Sequence, residues 1–314
     1  MKKQIIIKVL TFRHGEELEK KEDGEMFGEC HAHLIMDGKN YKEAVSIHEK
    51  GVQEDVVRAC LEIYKEREVL FLRDGGDALG VSKKAKEIAP EYGIDYRTPV
   101  FAIHKQGHYG KIVGRGFSDL KEYKMLVKEV KRQKGDFIKI MLTGIVDFHE
   151  VGVLTSAALT REEIHEMIAI AHDEGFAVMG HVNGNETVKI AAEEGIDSVE
   201  HGNYIGEEAI EAMREYGTVW VPTIATVKNL EGSGRYDDRV IQKIYEINTE
   251  QIKKAWNRNV TMALGSDGGA YHVFHGQGIY DEWHYFQEII GEEESKMKKR
   301  LLEGEKKIRA KFKR

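Results

Sequence analysis

The stretch "REEIHEMIAIAHDEGFAVMGHV", residues 161–182, contains one helix–strand unit. Its first part carries apolar side chains at helical spacing and ends on a glycine, which suits a helix C-terminus. The positions that give this spacing are Ile164, Met167, Ile168 and Ala171. A short apolar run follows at 176–182 and places His181 near its end. This order predicts an amphipathic helix followed by a buried strand.

Units of this kind recur along the chain. Runs with strand character alternate with longer amphipathic segments over roughly 260 residues. We count eight candidate strands, at 27–33, 69–74, 97–103, 136–143, 176–182, 197–202, 218–224 and 261–267. Strands that alternate with helices form parallel sheets, and a TIM barrel contains eight such pairs. The sequence therefore predicts the α/β class with a (β/α)8 TIM barrel.

Two parts of unequal size are predicted. Residues 1–26 contain one apolar strand and a charged hairpin, which is too little for a separate domain. Residues 27–314 form a single barrel domain that ends in a basic helix over 295–314. We expect the basic face of that helix to be solvated, because the chain as a whole is acidic.

Composition narrows the classes of function. The 47 Lys and Arg residues are outnumbered by 54 Asp and Glu residues, which gives a formal net charge of −7. This balance favours a small-molecule substrate and gives no reason to expect nucleic acid or a membrane as a partner. The two cysteines are too few for a disulfide framework and fit a reducing compartment, so we expect a cytoplasmic protein. A homo-oligomer is left open.

Side chains that can bind a metal stand at the ends of the predicted strands. His31 and His33 end the first strand, and because strand side chains alternate, both point to the same face. His181 and His201 end the fifth and sixth strands, and Asp267 ends the eighth. The catalytic groups of TIM barrels lie at the carboxyl ends of the strands. Imidazole and carboxylate groups are ligands for Zn²⁺, Mn²⁺ or Fe²⁺, so we predict a catalytic divalent metal site.

Lys139 lies inside the fourth predicted strand, whose other residues indicate full burial. An unpaired buried ammonium is costly, so its charge must be compensated or lost. The residues leave three explanations open: a Schiff-base lysine, a lysine paired with a buried acid, or a lysine carboxylated by carbon dioxide. Carboxylation gives an anionic carbamate that can bridge two metal ions, and burial favours it because it exposes the neutral amine.

The order of these residues resembles the metal-dependent amidohydrolase superfamily. The pattern is His-x-His on strand one, lysine on strand four, histidines that end strands five and six, and an aspartate that ends strand eight. The segments "FLRDGG" (71–76), "GHVNG" (180–184), "GIDSVEHGNYI" (195–205) and "GSDGG" (265–269) are similar to its imidazolonepropionase-like, prolidase-related branch. Members commonly carry an accessory β-sandwich built from both chain ends, and we expect little or none of it here.

The resemblance implies a binuclear metal centre. Two divalent ions, Zn²⁺ in the first place or else Mn²⁺ or Fe²⁺, would be held by His31, His33 and Asp267 on one side and by His181 and His201 on the other. Lys139 carboxylated by carbon dioxide and a hydroxide would bridge them. Asp267 would also be the catalytic group that accepts the proton of the attacking water. The implied activity is hydrolysis of an amide C–N bond in a small substrate, such as a dipeptide or an N-acyl amino acid.

Two other functions stay open at this point. A mononuclear cyclic-amide hydrolase or deaminase would use the same barrel. Deaminases of the superfamily generally have a glutamate three residues after a strand-end histidine, where this chain has Gly184 and Tyr204. A non-catalytic metal-binding barrel would be expected to close its site with four ligands, often thiolates. Cys30 is the one nearby thiol, and alternation directs it away from its histidine neighbours.

Substrate contacts are expected in the loops that follow the strands. The loop "HKQGHYGKIVGRG" (104–116) offers His108 and Arg115, and a cation there could bind a substrate carboxylate. The same loop could equally be a flexible lid with solvated charges. Tyr204, just after His201, and His275, in the stretch 268–278, also lie near the predicted mouth of the barrel.

Overall fold

The computed structural model describes residues 27–314, so the strand and hairpin predicted for residues 1–26 lie outside the described residues. The strands in this range are β1 (Glu29–Ala32), β2 (Phe71–Asp74), β3 (Asp95–Arg97), β4 (Ala102–Lys105), β5 (Gly114–Phe117), β6 (Ile138–Met141), β7 (Val178–Val182), β8 (Ser198–His201) and β9 (Val219–Val221).

The α-helices of the same range follow the strands along the chain. They are α1 (Tyr41–His48), α2 (Glu54–Glu66), α3 (Val81–Ile88), α4 (Leu120–Arg132), α5 (Arg161–Asp173), α6 (Asn185–Glu193), α7 (Glu207–Tyr216), α8 (Ala225–Lys228), α9 (Asp238–Asn257), α10 (Gly278–Ile290) and α11 (Glu294–Lys311). A 3-10 turn, Ala89–Tyr92, continues α3.

All strand pairs of the two sheets are parallel. β1, β2 and β3 form a three-stranded sheet, and the order of the six-stranded sheet is β5-β4-β6-β7-β8-β9. Residues 261–268 join the two: Met262 bridges Trp220 in β9, and Gly268 bridges Ala32 in β1. The predicted α/β barrel is confirmed, with its first and last strands connected through this segment.

The third predicted strand, residues 97–103, is two strands rather than one. β3 pairs with β2, whereas β4 pairs with β6 on the other side of a break at residues 98–101. Pro99 has no N–H to donate to a ladder, and Val100 takes a left-handed φ of 71°. The unpredicted strand β5 adds to the free edge of β4, so the end of the loop 104–116 belongs to the sheet.

The eighth predicted strand, residues 261–267, contacts both neighbours but forms no continuous strand. Gly265 packs against β1 so closely that a Cβ atom there would lie 2.8 Å from the His31 nitrogen. Asp267 then takes a left-handed φ of 62°, which ends the extended backbone. The other predicted strands are present and shorter than predicted.

The helix of the opening stretch shows why these segments form helices. α5 begins after Thr160, whose side chain accepts a hydrogen bond from the Glu163 N–H while Glu163 bonds back, and this capping box satisfies two end donors. Gly175, at a left-handed φ of 82°, follows its end. Its buried face consists of the four predicted apolar residues Ile164, Met167, Ile168 and Ala171.

The basic tail predicted as a helix over 295–314 is α11. Met297, Leu301 and Ile308 bury its apolar side. Within residues 27–314 every strand belongs to the two barrel sheets, so this part of the chain contains no β-sandwich. None of the helices in the same range combines the length and the hydrophobicity that a membrane span requires.

Replacing Gly304 by alanine should destabilise the protein, although alanine is the better helix former. Gly304 lies in α11 where an added Cβ would overlap the Met262 carbonyl. The crowding should lower the free energy of unfolding by ~1–3 kcal/mol, measured by urea denaturation. Lys306→Ala, on the exposed side of the same helix, is the control and should change little. A stabilised Gly304→Ala variant would contradict this packing.

Candidate metal centre

The predicted ligands meet at the carboxyl ends of the strands. The His31 ring lies 5.4 Å from the His33 ring and 5.0 Å from the His201 ring, and the His201 and His181 rings are 4.5 Å apart. All four histidines are buried. Lys139 is 1% exposed, and its charge acts on each of the four imidazoles. The structure thus brings together residues that lie up to 236 positions apart in the chain, from His31 to Asp267.

Three of these residues have potential ligand atoms close enough together to bind one metal ion. One atom each of His31, His201 and Asp267 lies within 4.8 Å of the other two. Asp267 Oδ1 is 3.5 Å from His31 Nε2 and 3.7 Å from His33 Nε2. Within the described residues, His31 Nε2, Asp267 Oδ1 and Lys139 Nζ are buried without a hydrogen-bond partner. Buried polar atoms are rarely left unpaired, so this donor set fits divalent cations.

Hydrogen bonds set which nitrogen of each histidine faces the centre. His31 Nδ1 donates to Glu200 Oε2 at 2.8 Å, and His33 Nδ1 donates to the Gly76 carbonyl at 3.3 Å, which leaves each Nε2 unprotonated. His201 Nδ1 is hydrogen-bonded to Thr223 Oγ1 at 2.8 Å.

His181 has the opposite arrangement. Its Nε2 donates to the Gly144 carbonyl at 3.2 Å, so Nδ1 is the nitrogen left with a lone pair.

Burial keeps these imidazoles neutral. Desolvation, followed by the charge of Lys139, lowers the pKa of both His33 and His181 to about 3. Desolvation also lowers the pKa of His31 and of His201 well below the usual value. Neutral imidazole is the form that binds metal ions, so all four rings are ready to do so at neutral pH.

The two remaining groups have pKa values moved toward neutrality. Burial lowers the pKa of the Lys139 ammonium to about 8, against the opposing pull of Glu200 and Asp267. Burial raises the pKa of the Asp267 carboxyl to about 7, against the opposing effect of Lys139. The lysine is therefore neutral far more often than an exposed one, and the carboxyl can both take up and release a proton.

Sequence reasoning missed a buried ion pair that holds His31. Arg73 Nη2 donates to both Glu200 oxygens, at 2.9 and 3.0 Å, and Glu200 in turn accepts from His31. Arg73 also donates to the Cys30 carbonyl and to Ser198 Oγ. Both charged side chains are fully buried. The signal was a charged residue inside an apolar strand, the same signal that identified Lys139.

Unusual backbone geometry accompanies the site. His201, Thr223 and Asp267 all have left-handed φ angles, between 51° and 67°, which are uncommon outside glycine. A Cβ atom at Gly75 would overlap the His33 ring, so only glycine leaves room for that ligand. Strict alternation would turn His201 away from its neighbour Glu200, and the left-handed backbone at His201 lets both side chains reach His31.

Comparison with known proteins identifies the family. The sequence profile of the amidohydrolase family matches residues 44–301, which is most of the chain. The chain belongs to the amidohydrolase family. The predicted superfamily is therefore confirmed, and members of this family generally use divalent metal ions.

Individual relatives of this amidohydrolase are distant. An uncharacterized protein of Mycobacterium tuberculosis is 30% identical over 128 residues, 39% of this chain and 34% of that protein. Ochratoxinase of Aspergillus niger is 27% identical over 153 residues, 47% of this chain and 32% of the enzyme. The chain spans about a third of the length of these curated relatives.

Solved structures agree on the fold. A Xaa-Pro dipeptidase superposes with a TM-score of 0.73 at 21% identity, over 91% of this chain and 75% of the dipeptidase. The A. niger ochratoxinase structure gives a TM-score of 0.69 at 19% identity, over 84% of this chain and 66% of that one.

Two of the predicted substrate contacts, His275 and Tyr204, lie in surroundings that differ from each other. His275 uses both ring nitrogens, one with Tyr64 Oη at 3.0 Å and the other toward the Met36 carbonyl at 2.7 Å. Tyr204 is half-buried just after β8. The role of both in substrate binding stays a prediction.

The loop 104–116 directs its two predicted contacts toward the helix layer. The Arg115 guanidinium lies 4.3 Å from the Phe101 ring centre and within electrostatic range of Glu129 in α4. His108 lies within electrostatic range of Glu163 in α5. Tyr109, which was not among the predicted contacts, places its ring 5.0 Å from that of His181.

Replacing Arg73 by an uncharged residue should destabilise the folded protein. Arg73→Met leaves the Glu200 carboxylate buried without its cation, so we expect a loss of ~3–5 kcal/mol in the free energy of unfolding. Chemical denaturation of the metal-free protein measures this loss. Arg58→Met is the control, because its ion pairs with Glu54 and Glu91 are exposed and should contribute little. Equal effects of the two substitutions would refute the assigned role of the buried pair.

Proposed function

We propose that this chain is a metal-dependent hydrolase that cleaves an amide C–N bond of a small substrate, such as a dipeptide or an N-acyl amino acid. One observation carries the proposal: His31 Nε2, Asp267 Oδ1 and Lys139 Nζ are buried together without hydrogen-bond partners. The names of two similar proteins, Xaa-Pro dipeptidase and ochratoxinase, support a hydrolytic activity of this kind.

The proposed centre divides its ligands between two divalent ions, Zn²⁺ or alternatively Mn²⁺ or Fe²⁺. The ligands are His31, His33 and Asp267 for one ion and His181 and His201 for the other. When bound, such ions polarise the scissile carbonyl and lower the pKa of a coordinated water. Protein residues supply the rest: Glu200 and the Gly76 and Gly144 carbonyls hold the imidazoles in the required tautomers.

We propose that Lys139 is carboxylated, so that it would supply anionic oxygen ligands to the divalent ions. Its neutral amine attacks carbon dioxide, a new N–C bond forms, and the proton leaves to solvent, which gives an anionic carbamate. Burial supports this step by lowering the lysine pKa to about 8. The carbamate would be balanced by the bound cations, whereas the ammonium would repel them.

Asp267 is proposed to move the proton. Its Oδ1 faces His31 and His33 at 3.5 and 3.7 Å and has no hydrogen-bond partner, so it is free to accept a proton from the attacking water. The same carboxyl would then donate that proton to the leaving amine nitrogen. This shuttle needs no second acid.

The surroundings of the strand-end histidines disfavour a deaminase. Gly184, three residues after His181, precedes α6 with a φ of 84° and has no side chain to donate a proton. Tyr204, three residues after His201, is a phenol whose pKa is raised by burial. Neither position supplies the carboxyl group expected of a deaminase.

The direct test is hydrolysis of a panel of dipeptides and N-acyl amino acids by metal-loaded protein, with the released amine measured. His201→Ala should reduce turnover at least ~100-fold, because the substitution removes a metal ligand outright. His172→Ala, an exposed histidine of α5 that pairs with Asp197, is the control and should keep wild-type activity. A panel with no turnover, or one hydrolysed equally by both variants, would sink the proposed function.

Lys139→Ala should lower metal content and activity together. Wild-type protein purified without chelator should hold about two metal ions per chain by plasma mass spectrometry, and the variant fewer. Short carboxylic acids should partly restore activity to the variant. Wild-type protein equilibrated with ¹³C-bicarbonate should also show a carbamate carbon resonance that the variant lacks. Lys296→Ala, exposed on α11, is the control, and a fully active Lys139→Ala variant with both metals would exclude the bridging role.

A further inference from the structure

A hairpin covers one side of the barrel mouth. Residues 145–155, after β6, form an antiparallel pair at Val146 and Leu154. At its tip the Phe148 and His149 rings lie 5.4 and 5.0 Å from the Tyr236 ring. Tyr236 belongs to the loop after α8, which follows β9, so the contact must pass over the ends of β7 and β8. Substrate access on that side is therefore restricted.

On the side of β1 the mouth opens into a cleft of about 430 Å³. Met36, three residues after His33, and Gly269, two residues after Asp267, form its inner wall. Tyr41 also lines it. The cleft thus lies beside the strand ends that carry His33 and Asp267.

The cleft is positively charged in a negatively charged protein. Lys39, Lys42 and Arg235 line it, and no acidic residue does so among the described residues. The Arg235 guanidinium lies 5.3 and 4.7 Å from the centres of the Tyr236 and Tyr271 rings. Within residues 27–314 neither Arg235 nor Lys42 forms an ion pair, and both are exposed. Stacking fixes the Arg235 plane and leaves its N–H donors for a ligand.

We propose that this cleft binds a carboxylate of the substrate, with Arg235 and Lys42 as its specificity-determining residues. The inference rests on the proposed function, since it places the scissile amide at the metal centre and the carboxylate beyond Met36. An arginine held by stacking can take a carboxylate through two parallel hydrogen bonds. The aromatic walls, Tyr41 and Tyr271, leave room for an apolar group beside the acid.

Binding of two sulfonamides tests the cleft without any bond being broken. N-tosyl-phenylalanine has a carboxylate, and N-tosyl-phenylalaninol has a neutral hydroxymethyl group in its place. Calorimetry on the metal-loaded wild type should show the acid binding at least about tenfold more tightly than the alcohol. The double variant Arg235→Gln and Lys42→Gln should bring the two affinities together. Lys253→Gln, an exposed cation of α9, is the control and should keep the preference.

The outcomes separate this inference from the proposed function. Equal binding of the two ligands by wild type, or a preference that survives the double variant, overturns the cleft as the carboxylate site, whatever the catalytic result. A preference that the double variant abolishes supports it even if no amide is hydrolysed, in which case only the proposed function fails. With an active enzyme, the double variant should raise KM about tenfold for an N-acyl amino acid and leave that for its carboxamide unchanged.

Discussion

The centre of this protein depends on an ion pair that contacts no solvent. Arg73 lies in β2 of the three-stranded sheet and Glu200 in β8 of the six-stranded sheet, and their side chains meet inside the barrel. Their mutual neutralisation makes it tolerable to place a carboxylate beside His31, and that carboxylate fixes the tautomer of the ring. The same arginine holds the β1 backbone through the Cys30 carbonyl. The side-chain contact of β2 with the β1 backbone, the orientation of the His31 ring and the charge balance beside it thus all involve this one pair.

The low polarity around this pair determines the chemistry of its neighbours. Desolvation acts in the same sense on every basic group. It lowers the pKa of His33 and His181, which are then neutral, and it lowers the pKa of Lys139, whose neutral fraction rises. It acts in the opposite sense on Asp267, whose carboxyl becomes able to hold a proton near neutral pH. A barrel interior that excludes water therefore favours the uncharged form of both kinds of group.

The barrel and its strand-end residues were predictable because both follow from local patterns. The alternation of strand-like runs with amphipathic segments predicted six of the eight strands at about the right places. Position at the strand ends selected the histidines and Asp267, and a charge inside an apolar strand selected Lys139. Local pattern could not predict contacts between residues far apart in the chain or unusual backbone angles. The pairing of Arg73 with Glu200 depends on two strands 127 residues apart, and the break at Val100 depends on a left-handed backbone that no β-branched residue favours. The eighth predicted strand forms only isolated bridges, and the left-handed backbone at Asp267 that ends its extended run is not indicated by the sequence pattern.

Loops, rather than strands, differentiate one side of the mouth from the other. The hairpin over β7 and β8 contacts the ring of Tyr236 through Phe148. Arg235, the residue that precedes Tyr236, lines the open cleft. Because these two residues are adjacent, the contact that closes one side also positions the cation on the other. The barrel interior brings the candidate metal ligands together, whereas in our proposal this loop pair determines from which side, and with which charge, a substrate reaches them.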